Sequence, residues 1–280
     1  GNWPVGGIAR PTIAMYEVQN GGRTLYGEHL LNRGPAIDPR TLDIWAGLRL
    51  LLNRMAESLN RLSSYRKDWE GLRWVNKTAL ACAEALLIIH GQYHFSYAER
   101  GCRFANLAPQ LEPVLARASH LPDLISRATA FKLRPSLDLY PEPMPAIWRQ
   151  VRQACDATFR YVIEKYLGFS FHSYAGFPGH YLNQFGARNK TALPAPLAQN
   201  LMHVLRFLRA RRCPPSRLIY VTYPAHQIVF SVVPLLFIGN DDGVLPAARY
   251  WLEKVCCLEA PRAEHQAELD YLRSCTLQAW

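Results

Sequence analysis

Regular strand patterns are scarce in this 280-residue chain, and the motifs that mark common enzyme classes are missing. There is no glycine-rich phosphate loop of the Walker type, no GxGxxG, no GxSxG, no HExxH and no kinase set, so none of those chemistries can be read from local sequence. No internal repeat or low-complexity tract occurs. No CxxC pair is present either, and the seven cysteines are scattered, with Cys256 and Cys257 adjacent. That argues against a disulfide framework or a structural zinc site, and for a reducing compartment, the cytoplasm. Residues 1–15 contain no hydrophobic run, so no signal peptide is expected.

Lysine is also sparse: it stands only at 67, 77, 132, 165, 190 and 254, against 32 cationic side chains in all. Arginine therefore supplies most of the formal net charge of +10. Its planar fork suits phosphate and carboxylate, so nucleotide or nucleic-acid partners fit this balance, as does a base-composition bias in the gene. With 49% hydrophobic and 19% charged residues the chain can bury a core, and disorder is not expected.

What is there is mostly helical periodicity. "RPTIAMYEVQN" starts with Pro11 as a first helical residue and stops at Gly21–Gly22, and "RTLYGE" after it is the best strand candidate. Thr41 can cap a helix on which Ile44, Leu48, Leu51, Leu52, Met55, Leu59 and Leu62 form an apolar stripe. A helix near 69–90 is apolar all round in "TALACAEALLII" except for Glu84, which predicts a buried central element. Shorter helices follow near 109–118 and 121–132, and a long one covers about 146–167. Residues 134–145, "RPSLDLYPEPMP", form a proline-rich connector and the expected internal boundary. "GFSFHSYAGFPGHYLNQFGARNK" reads as an ordered, aromatic loop. Helices at about 196–211, 245–258 and 262–277 and a charge-free run at 218–240 complete the chain. That run is long enough to span a bilayer, but Pro224, His226, Gln227 and Pro234 interrupt it, and a buried helix pair is the favoured reading. The expectation is a mainly α, multi-helix bundle.

Glu84 carries the most specific chemical question. A lone carboxylate in an apolar helix must be paired, protonated or functional. Arg73 and Lys77 lie on the same helical face, so the stripe Arg73–Lys77–Glu84 fits two cations gripping phosphate beside a carboxylate that activates a hydroxyl. An ion pair between Glu84 and an arginine of a neighbouring helix fits equally. Tyr93, Tyr97 and Arg100 in "GQYHFSYAER" suit stacking on a base or holding a phosphate, and equally ordinary helix packing. His90 and His94 have the four-residue spacing of two metal ligands, but Gly91 falls between them and no third ligand is evident, so no metal site is expected.

"RPTIAMYEVQNGGRTLYGE", "WAGLRLLLNRMAESL" and "NKTALACAEALLIIHGQYHFSYAER" together resemble the second half of prokaryotic nucleotidyltransferase-domain proteins, of the kanamycin-type and polymerase-beta-like superfamily. The resemblance covers about residues 10–105 and more loosely 196–258. It implies that residues 1–34 are a helix–strand remnant of an α/β transferase core, followed by a first helical bundle at 35–133 and a second helical region at 134–280 packed with it as one unit. It also implies nucleotidyl transfer to an acceptor hydroxyl, with Glu84 as the activating carboxylate and Lys77 near the triphosphate. The family's Gly-Ser turn and paired magnesium-binding aspartates are not in these 280 residues. Magnesium would therefore come only with a core outside this chain, and the chain alone is expected to be inactive. The rival expectations are a non-enzymatic helical module that binds protein or nucleic acid through arginine-rich faces, and a membrane-associated helical protein. Self-association and the identity of the acceptor stay open.

Overall fold

The computed structural model describes residues 11–27, 35–62, 67–188, 225–239, 243–253 and 265–279. The regular elements among them are helices, as the periodicity predicts: α1 (Ile13–Gly21), α2 (Ile44–Ser58), α3 (Trp69–Ile89), α4 (Tyr97–Leu107), α5 (Glu112–Leu115), α6 (Leu121–Leu133), α7 (Met144–Leu167), α8 (Phe177–Arg188), α9 (Ala225–Phe237), α10 (Val244–Leu252) and α11 (His265–Ala279). The expected helix at 196–211 lies outside the described residues.

The chain divides into two compact units. The first takes residues up to Leu51 and Asp68–Val162; the second takes Leu52–Lys67 and Ile163 onward. Helices α2 and α7 are each shared between them, and the proline-rich connector at 134–145 lies inside the first.

Helix α3 is the centre of the first unit. Asp68 caps it, accepting from the Gly71 amide at 2.7 Å. From Val75 to Ile88 its side chains are buried apart from Lys77, and each fully buried Leu or Val contributes about 1.5–3 kcal/mol. Gly47 on α2 lets that helix close on α3: a Cβ there would stand 3.1 Å from the Ala85 Cα. α4 and α6 pack on α3 and on each other. α7 adds Cys155, whose sulfur lies 3.6 Å from that of Cys82, and Tyr161, whose ring stacks on His90. The connector returns Tyr140 to donate to the buried Asn76 amide oxygen.

In the second unit α9 is the buried element. Ile228 to Ile238 are buried throughout, and α8, α10 and α11 pack against it. α9 is 13 residues long, and among the described residues no helix is long and apolar enough to cross a membrane.

Two readings change. The helix half of the N-terminal unit is present, with Thr12 as its cap and Ile13, not Pro11, as its first residue. The strand expected at "RTLYGE" does not form among the described residues: 22–25 have no regular structure, Tyr26–Gly27 bend, and Leu25 and Tyr26 are 90% and 99% exposed. A strand needs a neighbouring strand to pair with, and no strand is assigned among the described residues. The aromatic stretch expected to be a loop becomes helix from Phe177. There Phe177, Tyr181 and Phe185 recur at helical spacing and stack in sequence, with centroids 5.4 and 5.6 Å apart. The glycines in this stretch obscured that period.

Candidate functional site

The candidate residues converge where α1, α3 and α4 meet in the first unit. Glu84 is buried, 7% exposed, on the face of α3 that meets α4. Arg100, 4% exposed and one turn into α4, donates through Nη1 to the Glu84 carboxylate. Its Nη2 donates to Glu17 Oε1 at 2.5 Å and to the Phe95 carbonyl at 2.9 Å. Its Nε donates to the His94 carbonyl at 2.5 Å. All four of these contacts reach elements or loops that precede α4, so one guanidinium ties α1, α3 and the 92–96 turn to the start of α4.

Two tyrosines complete the cluster. Tyr93 donates its hydroxyl to Glu17 at 2.7 Å, and its ring lies 4.6 Å from the Arg100 guanidinium. Tyr97 takes Arg100 at 4.2 Å and Lys132, from α6, at 4.8 Å. Tyr16 packs edge-on to Tyr93 with Leu42 and Ile88 beneath. Gly91 makes the turn between α3 and this cluster at φ +66°, a left-handed conformation that favours glycine.

The electrostatics follow from burial. Burial works against the Arg100 charge, and the fields of Glu84, Tyr93 and Glu17 outweigh it, holding the guanidinium charged above its ordinary range. Burial, then the Glu84 charge, pushes the Tyr93 hydroxyl well above the usual tyrosine range and raises that of Tyr97, so both stay neutral. Two carboxylates, one guanidinium and a neutral phenol therefore form one hydrogen-bonded group.

Glu84, Tyr93, Tyr97 and Arg100 thus stand together. Arg73 and Lys77 do not join them: Lys77 lies about 10 Å back along the α3 axis from Glu84, half-buried, with its Nζ 4.4 Å over the Trp74 ring, and Arg73 is exposed a turn further on. Glu17 and Lys132 are the members that sequence reasoning passed over. Glu17 sits 83 residues from Arg100, and no local pattern links the two. The histidine pair has other roles. His90 meets the Tyr161 hydroxyl at 3.1 Å, and His94 Nδ1 accepts from the Ser96 amide at 3.2 Å. Among the described residues no group of three or more His, Cys, Asp or Glu is placed to hold a metal ion.

Chemically, the cluster offers little to an incoming anion. A phosphate could reach Arg100 only by displacing a buried carboxylate, which then loses its counter-charge. The same pattern recurs elsewhere. Arg127 pairs with Asp123 and Glu142 and stacks on Tyr140; in the second unit, Arg249 pairs with Glu268 and Arg273 with Asp270. A second group of cations, Arg49, Arg73, Arg117, Arg134 and Arg149, faces outward. No protein-family model, curated protein or solved structure matches the chain.

Proposed function

We propose that this chain is a non-catalytic helical module that binds an anionic partner through its outward cationic helix faces. The observation that supports this reading is the state of Glu84. Glu84, like Glu17 beside it, serves as a counter-ion of Arg100, while a separate set of cations on the same unit faces solvent. Phosphate or carboxylate groups on a partner fit such a surface, and the contact weakens as salt rises.

A second reading keeps the chain as the helical, substrate-binding part of a nucleotidyltransferase-like protein, with magnesium and the catalytic acids supplied from outside these residues. Lys77 over the Trp74 ring favours it, because a cation beside an indole suits a nucleotide's phosphate and base.

Titration with heparin and, separately, with ATP and magnesium distinguishes the two. The first reading expects heparin to bind at low salt and Glu84→Gln to bind it equally well at temperatures where that variant is folded. Loss of heparin binding in folded Glu84→Gln, or no heparin binding at all, contradicts it. ATP–magnesium binding by the full chain that Lys77→Ala abolishes would instead support the second.

A further inference from the structure

On the first unit, α3 begins beside the end of α6. Trp69, the first residue of α3, has its ring 6.0 Å from that of Phe131, yet it remains 54% exposed. Leu133, two residues after Phe131, is 55% exposed. Around this apolar spot stand cations. Arg73 lies one turn after Trp69 on the same face of α3, and Arg134 follows Leu133; both are exposed and without an ion pair among the described residues, whereas Lys132 turns its ammonium to the Tyr97 ring. Lys77 continues the α3 stripe. The nearby carboxylates are few: Asp68 caps the Gly71 amide and Glu70 occupies the first turn of α3.

Ordinary helix electrostatics explains only half of this. Lys132 and Arg134 suit the carbonyl end of α6, but Arg73 lies near the amino end of α3, where anions are favoured instead. The dipole also gives no reason to leave an indole half in water. An exposed aromatic ring set among cations is the arrangement that takes a base on the ring and phosphates on the charges.

We propose that the α3–α6 end formed by Trp69, Arg73 and Arg134 binds single-stranded nucleic acid, with Trp69 stacking on an unpaired base and the cations on flanking phosphates. This rests on the anion-binding reading above and adds the site and the partner class. A single strand is preferred to a duplex or an acidic protein because only it offers an unpaired base face to Trp69.

The test is fluorescence anisotropy of a dye-labelled oligo(dT) with the full chain, alongside heparin, which has charge but no bases. Trp69→Ala is expected to weaken oligo(dT) on the order of 10-fold and leave heparin unchanged, with Trp69→Phe retaining most of the affinity. The double variant R73Q/R134Q should make the log–log salt dependence for oligo(dT) shallower by about 0.7 per lost contact. Both of its positions are exposed, so it carries the test if Trp69→Ala misfolds. Unchanged oligo(dT) affinity in folded Trp69→Ala, or duplex DNA bound more tightly than oligo(dT), overturns this site while heparin binding keeps the broader reading intact. Absence of binding to both oligo(dT) and heparin by the unaltered chain overturns both.

Discussion

Arg100 holds carboxylates from two helices and two backbone carbonyls from the turn before it, all while buried. Removing the cation strands Glu84 in the interior. Arg100→Met is therefore expected to destabilise the first unit by about 3–5 kcal/mol, read from urea unfolding followed by helix circular dichroism; a loss under 1 kcal/mol, about the worth of an exposed pair, would show that the network is not a structural tie. Glu84→Gln leaves Arg100 with Glu17 and should cost less. The buried phenols give a pH prediction. Tyr93, Tyr140 and Tyr181 have hydroxyl pKa values raised by burial. Their unfolded value is about 10, so the stability tied to each is fully present below that pH. It is lost as pH rises above it, because the unfolded chain then releases a proton that the folded chain keeps. The slope is about 1.4 kcal/mol per pH unit for each such tyrosine. Denaturant melts from about pH 9 to about pH 11 should show stability falling at the alkaline end, and Tyr93→Phe should remove one tyrosine's share of the slope. An equally steep fall in that variant would contradict the assignment.

At the scale of elements, the close approach of α2 to α3 depends on Gly47. Gly47→Leu has no room against the Ala85 backbone and is expected to lower stability by about 1–3 kcal/mol by thermal unfolding. A neutral result would mean that the helices separate readily. The central place of α3 was legible in the sequence because an all-round apolar run has one physical use, burial. Glu84 was legible as an anomaly for the same reason, and the ion pair with an arginine from another helix was one of the two readings open for it. Its partners were not legible. Arg100 lies on the next helix and Glu17 on α1, and side-chain pairing across such separations leaves no local periodicity. The strand at Arg23–Gly27 was misread because β-prone residues name a preference, and only a neighbouring strand makes it structure. The helix from Phe177 was missed because Pro178 and Gly179 suggested a loop, whereas the aromatic stripe Phe177–Tyr181–Phe185 decided the outcome.

At the scale of the whole molecule, the charges of the described residues are sorted by depth. Arginines that enter the interior carry carboxylates with them, as Arg100, Arg127, Arg249 and Arg273 do, while others on the first unit remain outside. A net charge of +10 on 280 residues is thus partly a surface property available to partners. The measurement that tests this account most directly is the affinity of the full chain for heparin across a salt series. The account predicts tight binding at low salt and a linear fall of log affinity with log salt, with a slope of several charges. A flat dependence, or no binding at the lowest salt, would contradict it.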